Sequence, residues 1–330
     1  MSPVHIKLPR ISTLKSVRNL LVEMRDGDAI DASEVHLDMG SVQFYEPVAI
    51  ATCLAKVCRW RREDRKHVTV ENHLSAEAAG FLSRIDFFRE LGIEVPDTRG
   101  RRNSAGRFIP VKRITRTTDC DKLAREISEC VIPGTASDDE ELRHLIEYAI
   151  GEVVKNCQQH SQGTGFLSAQ FFSKKGAVQI GMADDGMGIL ESYRSNGAPA
   201  YREGMTDCDM IEEALKVRSS SKTHRPYDSP YGGTVNQGIG LSICRQLSVE
   251  ATGDFLLCSG KGFIAHDAKG INKASPISLS TDFGGVICGI NFYRAALKNW
   301  DYRTLLDEVK ESLGLSSPRK MPQNNQLFLP

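Results

Sequence analysis

Apolar residues fall at every second position in "PVHIKL" (residues 3–8) and "EVHLDM" (34–39), a spacing that predicts strands with one buried face. From Pro47 to Trp60 the period turns helical. Ile50, Ala51, Leu54, Val57 and Cys58 share one face, and Pro47 suits a first helical turn. "HVTVEN" (67–72) is a further strand. "SAEAAGFLSRIDFFRELGI" (75–93) predicts one helix, with Ser75 as N-cap and Gly92 as its stop. This β-α-β-α order describes a small α/β domain. The polar, basic stretch "DTRGRRNSAGR" (97–107) marks a linker, and "FIPVKRI" (108–114) supplies one strand to either side of it.

The second half opens with the acidic "SDDEELRHLIEYAIGEVVKNCQQH" (137–160), a long helix whose first turn, from Ser137, suits the helix dipole. "GFLSAQFFSKKGAVQIGMADDG" (165–186) predicts a hairpin turning at Lys175 and Gly176. Residues 191–237 are polar and irregular, with only "MIEEALKV" (210–217) clearly helical. "GLSICRQLSVEA" (240–251) is a helix entered through glycines. "DFLLCSGKGFIAH" and "GGVICGINFYR" are strands, "DYRTLLDEVKESLGL" is a last amphipathic helix, and the tail from Ser316 is expected to be disordered.

Composition narrows the function classes. Lys+Arg and Asp+Glu both number 42, so no global charge favours nucleic acid or an anionic membrane. No apolar run approaches the roughly 20 residues of a membrane span. The start "MSPVHIKLPR" lacks the apolar core of a signal peptide. Nine scattered cysteines without a CxxC pair suit a reducing compartment. The expected setting is cytoplasmic, with no membrane and nucleic acid unlikely. The arginines of the linker have no interleaved aromatics, which argues against an RNA or DNA surface.

Three short motifs carry candidate chemistry. Glu152, Asn156 and His160, four residues apart, lie on one stripe of the long helix. An Asn carbonyl is a suitable oxygen ligand for Mg²⁺, and a Glu one turn earlier can orient or deprotonate a water beside a metal-bound phosphate. Alone, this spacing arises by chance about once in such a chain. Second, the strand "VQIGMAD" ends in Asp184-Asp185-Gly186-Met187-Gly188. Asp184 can accept from the exocyclic amine of adenine, whereas guanine presents an acceptor there. An ordinary Asp-Gly turn is the plainer alternative. Third, Gly238 and Gly240 open the helix "GLSICRQL" with free backbone N–H groups, a phosphate site through donors and dipole. No Walker GxxxxGK[ST] is present, and "GIGLS" does not follow a strand of a βαβ unit.

Together and in this order, ExxxNxxxH, DxGxG and GxGL would coincide by chance in fewer than about one chain in a hundred. The order resembles the GHKL ATP-binding (Bergerat-type) family of gyrase B, Hsp90 chaperones, MutL, histidine kinases and anti-sigma-factor serine kinases, over about residues 118–295. The resemblance implies a two-layer α/β sandwich, with helices over a mixed sheet and ATP held beneath a mobile lid. It implies Asn156 as the Mg²⁺ ligand and Glu152 as general base. Asp184 would hold the adenine amine, with Gly186 and Gly188 shaping its pocket and Gly238, Gly240 and Leu241 along the phosphates. Residues 190–237 would form the lid, and Lys222 or Arg225 would reach the γ-phosphate. His160 matches a frequent family position, though a locally satisfied helix-end histidine is the favoured alternative. Val286 stands after Gly284-Gly285 where family members often carry a Thr, with Thr281 as a candidate substitute.

Residues 4–95 resemble STAS domains through "VHLDMGSVQFYEPVAIATCLAKV". Where that family carries a phosphoacceptor Ser, this chain has Glu46-Pro47-Val48-Ala49, so no hydroxyl is available; Glu46 is either a fixed charge mimic or a plain helix-start acid. The expected organisation is a STAS-like α/β domain (1–96), a basic linker (97–117), a two-layer α/β sandwich ATP-binding domain (118–298), a C-terminal helix (299–315) and a tail (316–330). The implied function is an ATP- and Mg²⁺-dependent regulatory protein. Its lid would switch contacts with a protein partner through binding and slow hydrolysis, the partner being a STAS-type protein or a second copy in a homodimer. The alternatives are a Ser/Thr kinase acting on a separate STAS-type protein and a non-catalytic nucleotide-binding scaffold.

Overall fold

The computed structural model describes residues 3–95, 106–132, 140–216, 240–267, 270–271, 273–278, 280–298 and 304. By internal contacts the chain divides into Met1–Trp300 and Asp301–Pro330. In the latter only Thr304 is described, in helical conformation, so the expected C-terminal helix and tail otherwise lie outside the described residues.

In chain order the elements are β1 (Val4–Lys7), β2 (Ile11–Ser12), α1 (Val17–Met24), β3 (Glu34–Asp38), β4 (Phe44–Tyr45), α2 (Pro47–Arg62), β5 (His67–Glu71), α3 (Ala79–Arg84), α4 (Phe87–Glu90) and β6 (Phe108–Ile114). They continue with α5 (Cys120–Val131), α6 (Glu140–His160), β7 (Gly165–Phe172), β8 (Ala177–Asp184), α7 (Ile189–Ser195), α8 (Asp207–Ala214), α9 (Gly240–Glu250), β9 (Asp254–Ser259), β10 (Gly262–Asp267), β11 (Gly270–Ile271), β12 (Ser275–Pro276), β13 (Val286–Tyr293) and α10 (Arg294–Lys298). The fold is mixed α/β, as expected.

Two sheets dominate. The N-terminal strands pair in parallel in the order β1-β3-β5. The larger sheet runs β11-β10-β9-β13-β8-β7-β6, with β12 on β10, and every pair in it is antiparallel rather than mixed. "FIPVKRI" thus joins the larger sheet as β6, against β7. The hairpin turns where expected, with Gly176 in the left-handed region (φ 63°) and the Lys175 N–H donating to the Phe172 carbonyl at 2.9 Å. "DFLLCSGKGFIAH" is not one strand but the hairpin β9–β10, turning at Gly260 (φ 55°) and Lys261.

Both faces of the larger sheet are covered, so all eight residues of β8 are buried. A strand buried on both sides reads as a nearly continuous apolar run rather than an alternating one, as "AVQIGMAD" does. Helices α5, α6 and α9 cover one face, and α6 buries Leu142, Leu145, Ile146, Ala149, Ile150, Val153, Val154 and Cys157 at helical spacing. Helix α2 lies on β7, β8 and β13 and makes a third layer on the other face. Its start presses so closely on the sheet that a Cβ at Gly181 would overlap the backbone of Pro47 and Val48. One apolar cluster runs from Val17, Leu20 and Leu54 into Phe166, Ala183 and Ile287 of the sheet.

This docking explains a departure from the expected amphipathic α2. Residues Pro47–Val57 and Trp60 are all buried, not one face alone. Thr52 satisfies its buried hydroxyl on the Val48 carbonyl at 2.7 Å, and buried Lys56 donates to the Asp28 carboxylate at 2.7 Å. Burial lowers the Lys56 pKa, and Asp28 opposes that shift. The expected single helix over 75–93 is also broken. Asp86 adopts a left-handed conformation (φ 64°) between α3 and α4, and the Ile85 carbonyl accepts from the Val111 N–H of β6 at 2.9 Å. The break lets Ile85, Phe87 and Phe88 all turn inward. Ser75 caps neither piece, since its hydroxyl donates to the Asn72 carbonyl at 2.8 Å, while Gly92 (φ 75°) closes α4 as expected. Ser137 lies outside the described residues. Among the described residues no helix is long and apolar enough to cross a membrane.

Candidate functional site

The covered face of β8 that looks toward α6 ends in a cleft open to solvent. Strand alternation places Met182 and Asp184 in its floor, with Val286 and Cys288 contributed by neighbouring β13. Asn156 and His160 enter from α6, Gly188 from the start of α7, and Gly240 and Leu241 from the start of α9. Segments far apart in the sequence thus converge on one concavity. Apolar Met187, Ile189 and Tyr193 complete a wall that the sequence pattern did not single out. Met182 was legible from its two-residue spacing to Asp184. Tyr193 was not, because α7 falls in a stretch expected to be irregular.

Asp184 is 1% exposed. Its Oδ1 accepts from the Gly186 N–H at 3.1 Å, and the Val286 backbone also bonds it. Burial nevertheless pushes its pKa up to about 8, with neighbouring Asp185 adding to the rise. A buried carboxyl amid apolar walls, held by backbone donors and aimed into a cleft, is a pre-set acceptor for a ligand N–H.

Glu152 lies behind the lining rather than in it. It is 4% exposed, and the first residue of α9 sits on it: a Cβ at Gly240 would overlap the Glu152 side chain. Its Oε2 is buried with no hydrogen-bond partner among the described residues, and burial raises its pKa.

The two glycines of DxGxG have different surroundings. Gly188 lines the cleft, and a Cβ there would press on the Gly284 carbonyl and the Ser259 hydroxyl at 2.9 Å. Gly186 does not line it. It packs on the Ser161 carbonyl, which accepts from the Met187 N–H at 2.6 Å, so that glycine joins the strand end to the turn after α6. Val286 occupies the cleft position noted above. Thr281 is not among the cleft residues; its hydroxyl pairs with that of Ser278 at 2.6 Å. Gly238, Lys222 and Arg225 lie outside the described residues, as does the rest of 217–239. Of the remaining 190–216, α7 and α8 are helical, and α8 starts with a Thr206–Asp209 capping box.

Glu46 is 7% exposed, and its Oε2 accepts from the Leu14 N–H at 2.7 Å. It is a structural acceptor at the start of α2, on the sheet face opposite the cleft. Remote from the cleft, His5, His36 and Glu71 bring their ligand atoms within 4.8 Å of one another on neighbouring N-terminal strands. His36 Nδ1 bonds Glu71 at 2.7 Å, and that bond raises the His36 pKa. This is a cross-strand pair on an accessible face. No family model matches the chain, and no curated protein matches it.

Proposed function

We propose that the chain binds an adenine nucleotide with Mg²⁺ in this cleft and acts as an ATP-dependent regulatory protein. The observation that supports it best is the convergence of Asp184, Asn156 and the N-terminus of α9 on one cavity. Residues from three short motifs that are individually weak meet at this one cleft. The buried Asp184 carboxyl offers an acceptor to the adenine amine, and Met182, Val286 and Ile189 offer apolar surface to its ring. The start of α9 offers N–H groups and the positive end of a helix dipole to phosphates. Asn156 lines the cleft, and an Asn side-chain oxygen is a suitable ligand for a hard cation. Bound Mg²⁺ would neutralise phosphate charge. The general-base role is assigned to Glu152 by the motif resemblance; it lies behind the cleft wall under Gly240, with its pKa raised by burial.

The choice between hydrolysis and transfer to a partner rests on Glu152 and on the N-terminal half. The start of α2, where STAS proteins carry a phosphoacceptor, is buried against the far side of the sheet and has no hydroxyl at Glu46–Ala49. That favours hydrolysis, or transfer to a separate STAS-type protein, over transfer within the chain. Incubation with γ-labelled ATP, alone and with candidate STAS-type proteins, tests this. Free phosphate from the protein alone supports the ATPase, and a labelled partner supports the kinase. Bound but intact ATP in both reactions leaves the scaffold reading, and no ATP binding defeats the proposal.

A further inference from the structure

Lys56, Arg59 and Arg62 fall three residues apart on α2 and so form one basic stripe along that helix. Each is applied to a segment that frames Asp184. Lys56 Nζ, which is buried, donates to the Asp282 carbonyl at 3.1 Å, and the Phe283 ring stands 5.8 Å away. The Arg59 guanidinium lies on Gly284, in the space a Cβ there would take. Gly285 in turn lies against the Asp184 carbonyl. Arg62 binds Asp185 with both arms, Nε to Oδ2 at 3.1 Å and Nη2 to Oδ1 at 3.0 Å. Asp185 is fully buried, and its Oδ1 also accepts from the Thr164 N–H at 2.6 Å. The Asp185 N–H donates back to the Thr164 carbonyl at 3.1 Å, and three residues earlier the Ser161 carbonyl holds the Met187 N–H. Hydrogen bonds therefore run from α2 through Asp185 to the turn after α6, and close contacts through Gly284 and Gly285 reach the other side of Asp184.

We propose that Lys56, Arg59 and Arg62 are positioning residues that hold the strand ends around Asp184, so that docking of the N-terminal half sets how tightly the cleft takes its nucleotide. The proposal deepens the adenine-nucleotide reading and rests on it for its second clause. Arg62 is the member to test, because its bidentate geometry is the most specific and its side chain is partly solvated, so little packing is lost with it; Arg62→Lys keeps a cation beside buried Asp185.

Amide hydrogen exchange of the nucleotide-free protein reads the positioning directly, with calorimetric titration of Mg²⁺-ATP alongside. In Arg62→Ala, exchange at the amides of Thr164, Asp185 and Met187 rises about tenfold or more, while the β7–β8 hairpin amides near Gly176 keep their wild-type rates. ATP affinity falls about tenfold, because a small misplacement of the binding groups is enough. Arg62→Lys, which keeps the charge without the fork, recovers only part of both effects. Unchanged exchange at the three amides overturns the positioning claim. A uniform rise across the whole sheet overturns it too, since that marks general loosening. Wild-type ATP affinity in Arg62→Ala overturns the regulatory clause. Should wild type bind no adenine nucleotide, the functional reading and that clause both fall, and the exchange data still decide the positioning.

Discussion

Asp184 and Asp185 are neighbours in sequence, each 1% exposed, yet they sit on opposite sides of one strand end and meet opposite surroundings. Asp185 faces the docked N-terminal half, where Arg62 and the Thr164 N–H occupy its oxygens. Asp184 faces the cleft with backbone N–H groups as its partners, and burial lifts its pKa to about 8. A strand end presents successive side chains to alternate faces, so one step along the chain separates a carboxylate used for architecture from one available to a ligand. The difference teaches that burial alone does not mark a functional acid. What sets Asp184 apart is that backbone N–H groups bond it and Arg59 acts on it only through space, beside an open cleft.

The largest effect is expected on the cleft side. Asp184→Asn should weaken ATP binding by about a hundredfold or more, because the amide can present a donor where the adenine amine needs an acceptor. Calorimetric titration checks it. The fold should tolerate this change well, since a costly buried carboxyl is removed. On the docking side Asp185→Ala should act in reverse. It breaks the Arg62 and Thr164 bonds and should destabilise the fold by about 2–3 kcal/mol in urea unfolding, with ATP weakened only as far as the strand end loosens. If both variants behaved alike, the two faces would not have separate roles.

A comparable but distinct effect is expected at Glu152. Glu152→Gln keeps shape and removes basicity, so phosphate release should fall about a hundredfold while ATP binding is retained. Full turnover by that variant would confine Glu152 to a packing role against α9.

Titration of Asp184 gives a smaller and signed effect. The unfolded chain releases this proton in the ordinary carboxylate range, whereas the nucleotide-free fold holds it until about pH 8. Between those values the native state binds more protons than the unfolded state, so stability from this group falls as pH rises across the window and levels off above it. Asp184→Asn should remove that slope from urea midpoints measured at successive pH values. The same proton affects selectivity. A protonated carboxyl can donate to the guanine oxygen, and the ionised form cannot. Preference for ATP over GTP should therefore grow as pH rises through about 8. The smallest effect belongs to Glu46→Gln, which weakens one hydrogen bond to the Leu14 N–H and should cost about 1 kcal/mol in the same unfolding assay.

Local rules made the strands β1, β3 and β5, the β7–β8 hairpin, α2 and α9 legible in the sequence, because periodicity and turn residues are local. The meeting of Asn156, Asp184 and Gly240 was legible only through the combined motif order. Features that depend on docking were hidden. The two-sided burial of α2 follows from contact with Gly181 and its neighbours, and no helical period encodes a partner surface. The break at Asp86 answers a strand more than twenty residues later, through the Val111 N–H. Gly186 looked like a ligand-side glycine by motif position, but its neighbour is the Ser161 carbonyl. The Arg62–Asp185 pair joins residues 123 positions apart, so neither local charge pattern nor helical spacing could announce it.

Calorimetric titration of the wild-type protein with ATP and with GTP, each with Mg²⁺ and above pH 8, tests the central claim most directly. The expected result is saturable ATP binding at the cleft and GTP binding weaker by about a hundredfold or more, with the preference abolished in Asp184→Asn. Equal affinities for the two nucleotides, or ATP binding that survives Asp184→Asn unchanged, would contradict it.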